Sequence, residues 1–168
     1  MLSVNSPLTN EVIHISAPNK IPHVEGFIAK CTERDAVLHE MADYLAAKGA
    51  VKSEYGDAVI ARENNYPTGI PTEPMGVAIP HSDRDYVFNT TILVAQLPHE
   101  VAFHRIDDPD LEIGVRVVFM LAVNSNEGQL DTIVQVMELV QDVTLVRNII
   151  SATSPEEIQQ LVSAAFAE

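Results

Sequence analysis

Cysteine is almost absent from this chain, which has only Cys31 among its 168 residues. One cysteine cannot form an internal disulfide or a metal site built from several thiolates, and such sparing use is typical of a reducing compartment. Long apolar runs are missing too, since no stretch approaches the roughly 20 residues that cross a bilayer. The first residues lack the basic start, apolar stretch and cleavage site of a secretory signal. These absences predict a soluble, cytoplasmic protein.

Positive charge is scarce as well. Ten Lys and Arg residues stand against 24 Asp and Glu residues, which gives a formal net charge of −14. A chain this acidic repels the backbone of nucleic acids and the surface of anionic membranes. Two explanations of the charge remain open. An acidic surface can attract a protein with a positive docking face, and it also serves plain solubility.

The composition that is present suffices for one domain. A chain of 168 residues with a hydrophobic content of 46% is long enough for one sizeable core. It is too short for two ordinary domains. Residues 1–22 are rich in Pro, Asn and Ser, which predicts an N-terminal extension with at most one short strand. Residues 23–168 are therefore expected to form the domain, and we assign no function to the extension.

Helix starts and apolar stripes indicate four helices. Thr32 can cap a helix with an apolar stripe, and Ser53 can cap a second one from Tyr55 to about Glu63. Residues 154–157 are a strong start for the last helix, with a serine cap, a proline at the first position and an acid at the third. A third helix precedes it, and its stripe, which we interpret as core, comprises Leu130, Ile133, Val134, Met137 and Val140.

Short apolar runs indicate the strands. Residues 76–79 form one of them, because Pro80 biases the residue before it toward the extended region. Residues 115–123 carry a single charge, as expected of a strand covered on both faces. Two further strands are predicted over residues 91–97, which Pro98 should end, and over residues 101–103. The alternation of helices and strands predicts a single three-layer α/β domain with helices on both faces of the sheet.

An acidic group at residues 107–110 lies close in sequence to His99 and His104 and suggests a metal site. Its composition is typical of a turn, and nothing fixes the ligand spacing that a dedicated metal site shows. We therefore predict no metal and no cofactor.

The segment from Arg62 to His81 carries the strongest functional signal. His81 follows Pro80 at the carboxyl end of a predicted strand, an edge where reacting groups collect in α/β sheets. A neutral imidazole is a nucleophile, and phosphoryl transfer needs little more than a positioned nucleophile and charge stabilisation. Arg62 is the candidate cation, because a guanidinium can bond two phosphoryl oxygens. Each residue alone also has a structural explanation. The charge of Arg62 complements a helix dipole, and a neighbouring group in a turn can make the hydrogen bond that the His81 side chain needs.

Three ordered pieces of this segment resemble a known signature: residues 61–63 (Ala-Arg-Glu), 67–70 (Pro-Thr-Gly-Ile) and 78–81 (Ala-Ile-Pro-His). The signature is that of the enzyme IIA components of the bacterial sugar phosphotransferase system (PTS), in the fructose/mannitol class and most closely its galactitol-type branch. The resemblance extends from about Phe27 to Ala165 and implies a mixed sheet. It implies that His81 is the phosphoryl acceptor, open to partner proteins, and that Arg62 helps to hold the phosphoryl group.

The mannitol-type pattern places a second histidine shortly after the last strand. Residues 126–130 (Asn-Glu-Gly-Gln-Leu) contain none, as is usual for the galactitol-type branch. We therefore assign no second active-site histidine.

The resemblance also implies partners. A phosphocarrier of this kind takes its phosphoryl group from the carrier HPr and passes it to a cysteine of a IIB component, which serves a membrane IIC transporter for a galactitol-like sugar or polyol. The alternative is a regulatory module whose phosphorylation state controls another protein, as in nitrogen-type IIA relatives. The transported sugar leaves no imprint on a component that contacts only proteins and a phosphoryl group.

Overall fold

The computed structural model describes residues 22–168. The predicted extension over residues 1–22 lies outside the described residues except for its last position. The described part of the chain forms five strands and five α-helices. The strands are β1 (Val24–Ile28), β2 (Gly69–Ile70), β3 (Gly76–Ala78), β4 (Thr91–His104) and β5 (Glu112–Ala122), and the helices are α1 (Arg34–Ala47), α2 (Tyr55–Asn65), α3 (Asn126–Leu139), α4 (Val143–Ser151) and α5 (Pro155–Phe166).

One sheet contains all five strands in the order β1-β4-β5-β3-β2. β1 is parallel to β4 and β3 is parallel to β5, whereas β4 and β5, and likewise β2 and β3, are antiparallel. The mixed sheet that the resemblance implies is therefore confirmed. The two-residue β2 lies at one edge, where a segment rich in turn-forming residues is tolerated.

Helices cover both faces of this sheet. Side chains alternate between the faces along a strand, so Leu93 of β4 packs against α1 and α2, whereas its neighbour Ile92 packs against the other three helices. Residues 117–122 of β5 are all fully buried, which is why that strand appears in the sequence as an unbroken apolar run. The predicted three-layer α/β architecture is confirmed.

Strand β4 shows that one strand prediction was wrong. The strand does not end at Pro98 but continues to His104, so residues 101–103 are not a separate element. Its pairing with β5 shifts register between Gln96 and Val101. The missing N–H of Pro98 therefore falls where no regular ladder bond is made, and the strand tolerates the proline.

The apolar stripe of α3 belongs only partly to the core, contrary to the prediction. Leu130 and Val134 are 63% and 52% exposed. The buried positions of the helix are Thr132 and Val136, so the buried stripe is rotated around the helix axis from the predicted one. Two apolar side chains of α3 consequently face outward.

The predicted helix caps have mixed outcomes. The Ser154 hydroxyl accepts a backbone N–H of the first turn of α5 at 3.1 Å, as predicted. Thr32 and Ser53 were wrong as caps, because the capping positions are Glu33 and Glu54, and neither makes a side-chain cap bond. Tertiary packing rather than capping therefore fixes the starts of α1 and α2.

Candidate functional site

His81 lies where β3 leaves the sheet. It forms an isolated parallel bridge with Leu121, near the carboxyl end of β5. The N–H of Leu121 donates to the carbonyl of Pro80 at 3.0 Å, and the buried hydroxyl of Tyr55 donates to the carbonyl of Leu121 at 3.2 Å. Burial raises the pKa of Tyr55 far above its ordinary range, so this hydroxyl keeps its proton. The backbone around His81 is thus tied to the central strands of the sheet.

The imidazole of His81 is recessed, with 8% of the residue exposed. Its Nδ1 lies 2.9 Å from the carbonyl of Ile79. A carbonyl can only accept, so Nδ1 carries the proton and Nε2 keeps its lone pair. In the described part of the chain the buried, unpartnered side-chain nitrogens belong to Arg62 and His104 alone. His81 Nε2 has no hydrogen-bond partner there and is not among these buried nitrogens, so part of it is exposed. The ring as a whole is buried, and the expectation that it lies open to partner proteins holds for little of its surface.

Several groups around the imidazole set its protonation. Burial is the largest influence and lowers the pKa of His81, and the positive charge of Arg62 lowers it further. The hydrogen bond to Ile79 and the negative charge of Asp83 act in the opposite direction. The net effect lowers the pKa below its ordinary value of about 6.5, so the ring is neutral at neutral pH.

Arg62 approaches this ring from the last turn of α2. Its guanidinium carbon lies 5.2 Å from the centre of the Tyr66 ring, a contact in the range of a cation–π interaction. Its Nε is buried and has no hydrogen-bond partner within residues 22–168. A buried donor without an acceptor is costly, so the cost of leaving this nitrogen unpaired is present in the structure as described.

Beneath these two residues lies a contact that sequence reasoning did not assign. Glu63 is 2% exposed, and its carboxylate accepts the N–H of Thr68 at 2.8 Å and the hydroxyl of Thr68 at 2.9 Å. The Thr68 hydroxyl oxygen in turn accepts the N–H of Ile79 at 3.1 Å. Both residues stand inside the motif, but only the fold shows that their side chains meet.

The first turn of α3 reaches the same region. Gln129 Nε2 donates to the carbonyl of Ser82 at 2.8 Å. This glutamine lies within residues 126–130, the segment in which no second histidine was assigned. The polar residues that follow His81 form a short 3₁₀ turn over Arg84–Tyr86.

The fold is that of solved enzyme IIA proteins. The crystal structure of IIA mannitol from Escherichia coli superposes with a TM-score of 0.65 at 24% identity, covering 82% of this chain and 94% of that one. The complex of enzyme IIAMtl and phosphorylated enzyme IIBMtl from the same organism gives a TM-score of 0.67 at 23% identity, covering 83% and 94%. Nitrogen regulatory protein IIA-Ntr from Neisseria meningitidis gives 0.60 at 19% identity, covering 85% and 94%.

The model of the family described as "Phosphoenolpyruvate-dependent sugar phosphotransferase system, EIIA 2" matches residues 25–165, and the chain belongs to this family. The galactitol-specific EIIA component of Escherichia coli K12 is 34% identical over 98 residues, which are 58% of this chain and 65% of the relative. The 2-O-alpha-mannosyl-D-glycerate-specific EIIABC component of the same strain is 27% identical over 135 residues, 77% of this chain and 20% of the relative. The resemblance drawn from the motif is therefore confirmed at the level of the family. No helix within residues 22–168 is long and apolar enough to cross a membrane.

Proposed function

We propose that this chain is a cytoplasmic phosphocarrier of a sugar phosphotransferase system, with His81 as the phosphoryl acceptor and Arg62 as the group that stabilises the phosphoryl oxygens. The observation that carries the proposal is the state of the imidazole. Nδ1 is engaged by the Ile79 carbonyl, whereas Nε2 is free and lies within the electrostatic reach of Arg62. A neutral ring held in this tautomer presents a lone pair at Nε2.

The phosphoryl group moves in two displacement steps. Nε2 of His81 attacks the phosphorus of phospho-HPr, a bond forms between Nε2 and phosphorus, and the bond to the donor breaks with its electron pair leaving on HPr. The proton on Nδ1 stays in its hydrogen bond to the Ile79 carbonyl, so the phosphorylated ring carries a positive charge that partly offsets the negative charge of the phosphoryl oxygens. A IIB cysteine thiolate then attacks the phosphorus, and the breaking N–P bond returns its electrons to Nε2.

Arg62 stabilises both transfers through charge. The phosphoryl group passes through a state in which negative charge is spread over its equatorial oxygens. A guanidinium can hold two of these oxygens at once, and the buried Nε of Arg62 gains an acceptor at the same moment. Arg62 therefore stabilises the phosphorylated and reacting states more than it stabilises the unphosphorylated protein.

The proposed substrate class and partners come from the relatives. The 34% identity to a galactitol-specific EIIA component supports a galactitol-like sugar or polyol as the transported compound. The EIIABC relative supports IIB and a membrane IIC transporter as the components downstream. A solved neighbour in complex with a phosphorylated IIB supports a IIB component as a partner. This chain would then meet HPr and IIB in turn at His81, as the resemblance implies.

Radiolabelled phosphoenolpyruvate, enzyme I and HPr test the acceptor. We expect an acid-labile, base-stable phosphoprotein, no label in His81→Ala, and full label in the matched control His99→Ala, whose histidine is exposed on β4. Label that survives in His81→Ala would overturn the assignment. The labelled protein is then mixed with a cognate IIB. Loss of label to IIB supports the carrier role, and label that stays on His81 supports the regulatory alternative.

A further inference from the structure

We infer that Glu63 and Thr68 are positioning residues for His81 and Arg62, acting through a continuous chain of hydrogen bonds. The inference rests on the proposed function, because it concerns how that function's nucleophile is held. The chain runs from the Glu63 carboxylate through the Thr68 hydroxyl and both polar groups of the Ile79 backbone to Nδ1 of His81. None of its members except His81 touches the phosphoryl group in the proposed reaction.

The first link fixes the Thr68 hydroxyl. Thr68 has one hydroxyl proton, which it donates to the Glu63 carboxylate, and its backbone N–H donates to the other carboxylate oxygen. An ionised carboxylate accepts both bonds without conflict. The hydroxyl oxygen is left to accept, and its lone pair is directed at the N–H of Ile79 at 3.1 Å. Glu63 is therefore the fixed end of the chain.

The second link sets the tautomer of His81. Ile79 is 1% exposed, its N–H is held by Thr68, and its carbonyl accepts from Nδ1 at 2.9 Å. Pro80 stands between this carbonyl and the histidine, and its ring fixes one backbone angle of the connection. The carbonyl is consequently held toward Nδ1, which favours the tautomer with Nε2 unprotonated.

The same anchor places the cation. Glu63 follows Arg62 in the last turn of α2, and the buried Glu63 side chain ties that turn to the residue before the β2 strand. Thr68 ties it further to Ile79 at the end of β3. The imidazole and the helical turn that carries Arg62 are therefore joined by one chain of hydrogen bonds, although the two residues are separated by 18 intervening residues in sequence.

If the contact between Glu63 and Thr68 served stability alone, its removal would have a different outcome. Removing it would lower the unfolding midpoint and leave the tautomer of His81 and the rate of transfer unchanged in the folded protein. A positioning role predicts that the folded variant has a mixed tautomer population and transfers slowly. A displacement of about 1 Å at a reacting group can cost on the order of 100-fold in rate.

Thr68→Val and Thr68→Ser make a matched pair for the test. Valine has nearly the shape of threonine but lacks the hydroxyl, so Ile79 loses its acceptor, whereas serine keeps the hydroxyl. We expect phosphoryl transfer from phospho-HPr to be between about 10-fold and 100-fold slower in Thr68→Val and close to the unmodified rate in Thr68→Ser. Two-bond ¹H–¹⁵N spectra of the ring should show the Nδ1–H tautomer in the unmodified protein and in Thr68→Ser, with Nε2–H appearing in Thr68→Val.

The spectra separate this inference from the proposed function. If the unmodified protein takes no label at all, the function fails, while the tautomer of the three proteins still decides the positioning role. If label is taken and Thr68→Val matches Thr68→Ser in both rate and tautomer, the inference is overturned and the function stands. Should Thr68→Val fail to fold, the unmodified protein decides alone, because an Nε2–H tautomer there would contradict the hydrogen-bond chain and an Nδ1–H tautomer would support it.

Discussion

At the scale of single residues, one cation has two tasks at His81. The positive charge of Arg62 lowers the pKa of the imidazole, after burial, which is the larger cause. That effect keeps the ring neutral and nucleophilic before transfer. In the proposed reaction the same guanidinium also holds the phosphoryl oxygens, which would give its buried Nε the acceptor that it lacks in the described residues.

The pH dependence of transfer follows from the direction of this shift. The pKa of His81 lies below its ordinary value, so the neutral ring persists somewhat below pH 6.5 and is lost only as the pH falls through the lowered pKa. Arg62→Ala removes one of the lowering causes. We expect the pKa of His81 to rise, the acidic fall of the rate to move to higher pH, and the rate at neutral pH to drop about 100-fold. NMR titration of the ring and initial rates against pH measure both effects.

Arg62→Lys is the control for this prediction. Lysine keeps the positive charge but lacks the planar fork that meets two oxygens. The pKa of His81 should therefore stay lowered in Arg62→Lys while transfer is slowed. An unchanged pKa in Arg62→Ala would contradict the electrostatic link between the two residues.

The placement of His81 at a strand end and of Arg62 at a helix end could be predicted from sequence because both signals are local in the chain. Each residue alone also had a structural explanation, and the roles proposed for them came from the ordered motif that resembles the enzyme IIA components. The roles inferred for Glu63 and Thr68 could not be predicted in the same way. An acid beside an arginine is ordinarily solvated, and its burial becomes visible only when α2 packs beside β2 and β3.

At the scale of elements, β1 and α5 are in unusually close contact. A Cβ atom added at Gly26 would collide with the carbonyl of Pro155 and would also meet the Ile158 side chain. Backbone atoms at the start of a capped helix cannot move as a flexible side chain can. Glycine at this position of β1 is therefore required for the seating of α5, and the reason is close approach rather than an unusual backbone angle.

Gly26→Ala should destabilise the protein by about 1–3 kcal/mol, the usual cost of overpacking a well-packed contact. Urea unfolding followed by circular dichroism measures the loss. Gln160→Ala, at an exposed position of α5, is the control and should change stability by less than about 0.5 kcal/mol. A Gly26→Ala protein as stable as the control would show that α5 can shift at little cost.

The elements that sequence reasoning missed or misplaced have different causes. Helix α4 begins only a few residues after α3 ends, and the Asp142 side chain that caps it accepts two N–H groups of its first turn. The apolar residues of the two helices therefore follow closely in sequence, and sequence reasoning did not separate them. The continuation of β4 beyond Pro98 depends on a register shift against β5. The start of α4 is marked by a local cap that sequence reasoning missed, whereas the extent of β4 is decided by its partner strand and not by local propensity.

At the scale of the whole molecule, the net charge of −14 bears on encounter rates. A field of one sign attracts partners of the opposite sign and speeds their association, whereas a charge that serves solubility alone leaves encounter rates unaffected. The two explanations left open by composition can therefore be separated by adding salt.

We expect transfer from phospho-HPr under second-order conditions to slow at least about ten-fold between about 0.01 M and 0.15 M ionic strength. Asp131→Asn should weaken the salt dependence more than Asp43→Asn does, because Asp131 lies on α3 close to Gln129, which bonds Ser82, whereas Asp43 is on α1, which packs against the other face of the sheet. Stopped-flow or quench-flow rates at several salt concentrations provide the measurement. A rate independent of salt would leave solubility as the explanation of the charge.

The strand order β1-β4-β5-β3-β2 sets β1 three positions away from β3, about 14 Å at the usual spacing of neighbouring strands. The pairings Val24↔Ile92, Ile92↔Leu121 and His81↔Leu121 place the start of β1 and His81 at the same end of the sheet. A fluorescent protein joined directly ahead of Val24 should therefore hinder the approach of a partner protein to the imidazole. The topology makes any module linked there a neighbour of the candidate site.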